Sequence, residues 1–359
     1  MGIMIERGKT RMVSVGNVRI GAGYPVSIQS MTKTVTSDIR NTVLQIKELE
    51  SAGCEIVRLA VKDLNDAKAI SEIKKEVSIP LVADIHFDYR LAVKAVENGA
   101  DKIRINPGNI AQPSHIDMII DAAAARSIPI RIGVNSGSLP PDTAPGEDKP
   151  ARMVRAVLDY LGHFEKRKFN DIVVSLKASE VPVTIAAYRK MSQERDYPLH
   201  IGVTAAGLPE DGIVRSSIGL GSLLMDGIGD TVRVSLTGGS VLEVEIAKRI
   251  LTAIGSRNFG PRIISCPTCG RCQVDLVPIV RELERKIVMC SGGIAAGKEK
   301  QIVIAVMGCE VNGPGEAREA DIGVAFGKGK GAIFRHGRII KTVDVDSAIS
   351  ELTRMMEEL

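Results

Sequence analysis

Residues 265–272 read SCPTCGRC and set Cys266, Cys269 and Cys272 at even spacing. Thiolates two residues apart are ligands for structural zinc or for an iron–sulfur cluster. Another cysteine, Cys309, follows an apolar run in the stretch MGCEVNGPGEARE, with Glu310 and Glu316 close behind it. A pair of thiols from one turn and a third from a distant strand end is how assembled metal sites are built. The glycines at 308, 313 and 315 let backbone approach a bulky group and donate N–H bonds to its sulfurs. The cysteine count alone leaves zinc and iron both open.

A second set of residues is cationic. Arg58, Asp84 with His86, Arg104 with Asn106, Arg131 with Asn135, Lys177, and Arg233 with Ser235 all interrupt or end otherwise apolar runs. Strand side chains alternate, so Arg104 shares a face with Asn106, Arg131 with Gly133 and Asn135, and Arg233 with Ser235. A buried cation without a partner is too costly to keep. Any one arginine in a strand can be paired structurally. Four arginines and a lysine converging on one place read as a pocket for a strongly anionic ligand, a phosphate or diphosphate gripped bidentately. Turn amides in NPGN (106–109) and NSGS (135–138) add donors for the same anion. Position 205 lies midway between Lys177 and Arg233 and is therefore an equivalent strand-end position, yet it holds Ala205. That leaves Asp84 and His86 as the acid–base groups at this mouth.

The elements that must hold these residues repeat. Short β-branched runs begin at residues 26, 55, 80, 102, 129, 171, 199 and 231, separated by helix-like stretches such as DIRNTVLQIKELESAG and DYRLAVKAVENGA. Eight βα units of this size predict a TIM (β/α)8 barrel, with its site at the C-terminal ends of the strands. A doubly wound open sheet is the competitor, and the first strand lacks the glycine-rich dinucleotide turn that would support it. Residues 10–24 predict a hairpin with a Gly-Asn turn, placed over the barrel floor. The expected division is a barrel over 1–255, a linker rich in Gly, Pro and Arg over 256–265, and a smaller C-terminal α/β domain over 266–359.

Composition narrows the class. The chain of 359 residues is 44% hydrophobic and 25% charged, so it can bury a large core, and it has no Trp and 3% aromatics, so that core is aliphatic. A net charge of +4 without a long basic run does not indicate nucleic-acid binding. No apolar run approaches the roughly 20 residues that cross a bilayer, and the N-terminus lacks a signal-peptide core, so no membrane role and a cytoplasmic location are expected. A reducing compartment suits metal or redox use of the cysteines rather than disulfides. Cys54, just before the second strand, is expected in the core, Cys290 as a free thiol, and His336 in a surface turn.

Taken together, CPTCGR, MGC-VNGPGEAREADIG, DIHFDYRLA, RINPGN, RIGVNSGSL and GIGDTVRVSL resemble the 4-hydroxy-3-methylbut-2-enyl diphosphate synthase family of the non-mevalonate isoprenoid pathway, over essentially the whole chain. The resemblance implies a barrel joined to a 4Fe–4S domain. It implies reductive opening of 2-C-methyl-D-erythritol 2,4-cyclodiphosphate with loss of water, electrons from flavodoxin or ferredoxin, and a homodimer in which one subunit's cluster domain closes over the other's barrel. It implies cluster ligands Cys266, Cys269, Cys309 and Glu316, the last a carboxylate that can let go and leave an iron open to substrate. Substrate contacts then fall on Arg58, His86, Arg104, Arg131, Asn135, Lys177, Arg233 and Ser235.

The chain departs from the family in two places. The family has an active-site glutamate, its proton donor, where this chain has Ala205. With the other pocket residues kept, this reads as an introduced substitution that impairs turnover, the other reading being a natural variant that uses another acid or water; a chain that binds the diphosphate or the cluster without catalysis is the alternative function. The stretch 289–301 also differs, and is expected to be a loop away from the cluster. Cys272, where the family carries other residues, is expected to be a bystander beside the cluster.

Overall fold

The computed structural model describes residues 7–139, 146–290, 301–310, 318 and 320–357. The chain divides into two compact units, Met1–Arg257 and Asn258–Leu359. The first opens with a hairpin of β1 (Val13–Val15) and β2 (Val18–Ile20), turning at Gly16 and Asn17. Eight further strands follow: β3 (Ser27–Met31), β4 (Ile56–Val61), β5 (Leu81–Ile85), β6 (Lys102–Ile105), β7 (Ile130–Asn135), β8 (Ile172–Lys177), β9 (His200–Ile201) and β10 (Thr231–Val232). After each comes one helix: α1 (Ile39–Ser51), α2 (Leu64–Glu76), α3 (Tyr89–Glu97), α4 (Pro113–Ala125), α5 (Lys149–Lys166), α6 (Val181–Glu194), α7 (Pro209–Met225) and α8 (Ser240–Ala253).

The strands pair in parallel in the order β8-β7-β6-β5-β4-β3-β10-β9, and a parallel bridge between Val174 and Leu199 joins the two ends. The expected barrel therefore closes. Its outward strand faces are apolar: Ile28, Leu59, Ile103, Ile132, Val174 and Leu176 are fully buried, as are Ile46, Leu49, Ile73, Ala92 and Val157 of the surrounding helices. Each such aliphatic side chain contributes about 1.5–3 kcal/mol by leaving water. This outer layer, rather than the barrel interior, is where the hydrophobic driving force resides. The hairpin packs Val15 and Ile20 on Ile56 and Val82, at the starts of their strands, and so plugs the floor.

Closure at the short strand β9 depends on side chains. The Tyr188 hydroxyl, on α6, accepts from the Leu176 amide at 3.0 Å and donates to the His200 carbonyl at 2.6 Å. It thereby bridges β8 and β9 where the ladder is interrupted. On the other flank Asp230 accepts from the Leu199 amide at 2.9 Å.

The second unit is a five-stranded sheet in the order β11 (Arg262–Ser265), β12 (Val303–Met307), β13 (Ile322–Gly327), β14 (Lys330–Arg335) and β15 (Arg338–Asp344). The first three strands are parallel and the last two antiparallel. Helices α9 (Leu276–Cys290) and α10 (Ala348–Glu357) contribute Leu276, Leu283, Leu352 and Met356 to its core, against Ile304, Val306, Ile322, Val324 and Phe326. One expectation is corrected. Residues 262–265 are not linker but strand, with Ile263 and Ile264 opposite Ile304 and Ala305. The surrounding Gly, Pro and Arg hid a pair of half-buried isoleucines. Arg257 belongs with the first unit, donating to the Val26 carbonyl at 2.9 Å and pairing with Glu55 at 2.6 Å. Cys54 is a buried core residue as expected, and burial pushes its thiol up to about 12. His336 is exposed in the β14–β15 turn.

Tyr188→Phe is expected to lower the unfolding free energy of the barrel unit by about 1–3 kcal/mol, because it strands two buried backbone groups. Denaturant unfolding followed by far-UV circular dichroism checks this. A change within error would show that the hydroxyl does not carry closure.

Candidate functional site

Alternation along the eight strands decides what fills the barrel. The inward positions are Ser27, Gln29 and Met31; Arg58; Val82, Asp84 and His86; Lys102, Arg104 and Asn106; Arg131, Gly133 and Asn135; Ser175 and Lys177; His200 and Gly202; and Thr231, Arg233 and Ser235. Barrels of this class normally pack bulky aliphatic side chains there. This one packs polar and cationic groups, from Lys102 and His200 at strand starts to Asn135 and Lys177 at the C-terminal ends where barrel sites form.

Asp84 is the hub. Its carboxylate takes Arg104 Nη1 at 3.0 Å, Arg58 Nε at 3.6 Å and His86 Nε2 at 3.5 Å. Burial acts to raise the carboxyl, but Arg58, the His86 hydrogen bond, Arg104 and Arg131 outweigh it and hold the group far below the ordinary carboxylate range. Among the described inward-facing strand residues it is the one carboxylate. Arg58 also points its Nη2 at the Met31 sulfur, 3.0 Å away, a poor acceptor. Burial, with Arg233 and Arg104 beside it, pushes the Arg58 guanidinium down to about 10 against the pull of Asp84.

The remaining cations are less well matched. Arg131 is 1% exposed; its Nη1 donates to Gln29 Oε1 at 3.1 Å across the barrel, while its Nε has no partner. Arg104 Nε and Arg233 Nε likewise lack partners. Among the described residues, the hydrogen-bond partner of Lys177 Nζ is another base, His200 Nε2, at 3.2 Å. A Cβ on Gly202 would come within 2.7 Å of that ammonium and 2.5 Å of the Arg233 carbonyl, so only glycine leaves room for it. Burial, reinforced by neighbouring cations, pushes Lys177, Arg131 and His200 well below their ordinary values. A guanidinium keeps its proton regardless, so for Arg131 the mismatch is an appetite for an anion.

Sequence reasoning missed Lys102, Gln29 and His200. Lys102 is fully buried, and among the described residues its Nζ has no hydrogen-bond partner. Burial and the nearby Arg131 and Arg58 push it well below the ordinary lysine value. The signal was available: Lys102 stands two residues before Arg104 in one strand, and His200 two before Gly202. Both were overlooked because attention went to strand ends. Glu243, on α8, was missed as well. It accepts from Arg233 at 3.4 Å, Ser30 Oγ at 3.1 Å and the Leu236 amide at 3.0 Å, fixing the last strand end from outside the barrel.

At the rim, Asn106 Nδ2 donates to Ser138 Oγ at 2.9 Å, joining the two turns expected to bind anions. Asn135 and Ser235 are partly exposed there, and His86 is exposed with Nδ1 3.4 Å from Asn109 Nδ2. Ala205 follows β9, beside the end of β8 through the Thr204 amide bond to the Ala178 carbonyl at 3.1 Å. Its φ of +49° is left-handed, an uncommon conformation for alanine and of the kind found at functional sites.

In the second unit, Cys266, Pro267, Thr268, Cys269, Arg271, Cys272, Gly308 and Cys309 line a cavity of about 140 Å³. The Gly308 amide donates to Cys266 Sγ at 3.2 Å. A Cβ on Gly308 would displace Cys272 Sγ and lie 3.5 Å from Cys266 Sγ, so this glycine leaves room for the sulfurs as they stand. Among the described residues no three His, Cys, Asp or Glu side chains converge on a single ion. Thiols distributed around a cavity, with an N–H aimed at a sulfur, fit a group of several metal atoms better than a lone ion. Glu316 and the 291–300 part of the divergent loop lie outside the described residues.

Residues 10–248 match the family described as the GcpE TIM-barrel domain, and residues 262–358 match the GcpE protein C-terminal domain. A Clostridium perfringens protein named 4-hydroxy-3-methylbut-2-en-1-yl diphosphate synthase (flavodoxin) is 51% identical, covering 99% of this chain and all of its own. One of the same name from Nitratidesulfovibrio vulgaris is 52% identical over 99% of this chain and 90% of its own. Among solved structures, Yersinia pestis dihydropteroate synthase matches with a TM-score of 0.51 at 12% identity, over 68% of this chain and 99% of that one, which shows a shared barrel fold.

Lys102→Met is expected to stabilise the ligand-free protein by about 1–3 kcal/mol at neutral pH by removing a buried, unpartnered amine. Because the fold lowers the proton affinity of Lys102, the unfolded chain binds more protons, and stability rises with pH towards about 10.4. The variant should show a shallower rise in urea unfolding measured at neutral and mildly alkaline pH. An identical slope would mean that Lys102 keeps its proton when folded.

Proposed function

This chain belongs to the GcpE family of 4-hydroxy-3-methylbut-2-en-1-yl diphosphate synthases, and from that premise we propose how its own residues carry the reaction. The enzyme reductively opens 2-C-methyl-D-erythritol 2,4-cyclodiphosphate and releases water and the linear butenyl diphosphate. The observation that carries the assignment of roles is the charge imbalance inside the barrel. Arg58, Lys102, Arg104, Arg131, Lys177 and Arg233 face Asp84 among the described inward strand residues, with buried Glu243 pairing with Arg233 from behind. A diphosphate supplies the missing negative charge, and guanidinium pairs grip its oxygens in fixed orientation.

In this reading Arg58, Arg104, Arg131, Lys177 and Arg233 hold the diphosphate, with Asn135 and Ser235 donating at the rim. His86, supported by Asp84, orients the carbon end of the ring. Asp84 keeps Arg58 and Arg104 in place without neutralising the whole mouth. The departing hydroxyl must take up a proton to leave as water. Ala205 has none to give, so His86 and solvent are left as donors, and turnover is reduced relative to a chain with glutamate at that position.

A 4Fe–4S cluster supplies the electrons when bound. Cys266, Cys269 and Cys309 are the thiolates proposed to hold it, with the Gly308 amide stabilising charge on Cys266; the family resemblance supplies Glu316 as the fourth ligand. Flavodoxin, which the relatives' names carry, is the proposed donor, with ferredoxin in the same role. The family resemblance is what supports a homodimer in which the cluster unit of one subunit serves the barrel of another. No helix among the described residues is long and apolar enough to cross a membrane. A cytoplasmic location is proposed because it keeps these thiols reduced.

Protein purified without oxygen should be brown and contain about four iron and four sulfide per chain; colourless protein with one zinc would sink the cluster assignment. Ala205→Glu should raise turnover of the cyclodiphosphate by about 10²–10⁴-fold, the usual worth of a positioned acid. If linear diphosphate forms no faster, the proton comes from another group.

A further inference from the structure

We propose that Lys177 stands as a neutral amine in the ligand-free barrel, accepting a hydrogen bond from His200, and takes up a proton as the diphosphate binds. The proposal rests on the diphosphate reading above and deepens it. It says how the empty barrel tolerates so many cationic side chains, and it makes the anion arrive together with a proton. The observation that carries it is a pair of buried bases with no acid beside them.

His200 is fully buried on β9, and its Nε2 lies 3.2 Å from Lys177 Nζ at the end of β8. The chain around His200 is shaped to this contact. Two residues on, Gly202 leaves the space beside the amine. The Tyr188 hydroxyl holds the His200 carbonyl at 2.6 Å, and Thr231 flanks the residue in the parallel register. The other ring nitrogen, Nδ1, is buried and has no partner among the described residues. A hydrogen bond between two bases can run either way. If Lys177 donates, the imidazole proton sits on Nδ1, and a buried N–H goes unpaired. If Nε2–H donates, only a lone pair goes unpaired, and buried acceptors are left unpaired more readily than buried donors. The second arrangement needs a lone pair on Lys177 Nζ, hence a neutral amine.

The surroundings act in the same direction. Burial is the largest influence on both groups and opposes a charge on either. Arg131 on β7, Arg233 after β10, Arg58 on β4 and Arg104 on β6 face Lys177 and add to the effect. Arg131, Lys102 and Arg58 bear on His200 in the same way. The acidic groups of this region are engaged by arginines: Asp84 with Arg104 at 3.0 Å and Arg58 at 3.6 Å, and Glu243 with Arg233 at 3.4 Å. Arginines keep their protons in such a setting, so a lysine is the group that gives way. An entering diphosphate reverses the local field. Its oxygen accepts from Lys177 Nζ, solvent supplies the proton, and the amine becomes an ammonium. No other bond forms or breaks.

Each phosphorus of the cyclodiphosphate ring carries one strongly acidic oxygen, so the ligand itself does not titrate near neutral pH and protons taken up on binding go to the protein. Calorimetry of its binding to the full chain, without reductant and in buffers of different ionisation enthalpy, counts those protons. Lys177→Arg keeps the charge but cannot give up its proton, and it should take up about one proton fewer than the unsubstituted chain. The protonated amine is the form that binds, so affinity falls as pH rises. Across neutral and mildly alkaline pH the unsubstituted chain should lose up to about tenfold more affinity per pH unit than Lys177→Arg. Equal uptake, or parallel pH profiles, overturns the proposal and leaves the diphosphate reading standing. No binding by the unsubstituted chain at any pH overturns that reading itself. Should Lys177→Arg fail to fold or bind, ¹⁵N spectra of histidine-labelled, ligand-free protein decide. The signal absent from His200→Gln should show a protonated Nε2 and a bare Nδ1; a protonated Nδ1 overturns the proposal.

Discussion

The pairing of Asp84 with Arg58, Arg104 and His86 is the constraint on which the barrel depends. An isolated guanidinium in the interior would be untenable, and Asp84 makes two of them possible at once. It does not balance the rest. Lys102, Arg131 and Lys177 remain buried with neutral or basic neighbours. The interior is thus held in a state that favours anion binding over stability. The stability comes from the layer between strands and helices, where Ile28, Leu59, Ile103 and Ile132 are fully buried. Separation of these two jobs onto the two faces of each strand follows from period-two alternation alone. It lets one sheet be a hydrophobic scaffold outside and an ion-binding cavity inside.

That arrangement also explains the uneven regularity of the strands. Strands β4, β7 and β8 run for six residues each, while β9 and β10 have two. Just past the short strands come Gly202, which yields space to Lys177, and Arg233, which is fixed from outside by Glu243. Ladder hydrogen bonds lost there are replaced by Tyr188 and Asp230. Strand regularity is given up where the site needs room, and side chains from behind restore closure.

Much of this was legible in the sequence. The eight β-branched runs and the Gly-Asn hairpin follow from local pattern and lie where that pattern required, and the cations within or after those runs face the barrel interior. What escaped were interactions between residues far apart in the chain. Gln29 faces Arg131 and Glu243 faces Ser30, contacts that exist only once the barrel has closed. The strand at 262–265 escaped for a similar reason. Two isoleucines among Gly, Pro and Arg do not declare a strand until Ile304 is beside them.

Position 205 shows how charge and backbone work together at the mouth. The left-handed turn there persists with alanine, held by the Thr204 bond to Ala178 on one side and the Thr237 bond to the Gly207 carbonyl on the other. Such a conformation costs an alanine about 1–2 kcal/mol, so the surrounding fold, not the side chain, imposes it. A carboxylate at that point would add an anion to a strongly cationic mouth and compete with the diphosphate for the same field, while offering a proton to the departing hydroxyl. Alanine removes both effects. The fold therefore sets the backbone at position 205, and the side chain there decides only what charge that backbone presents at the mouth.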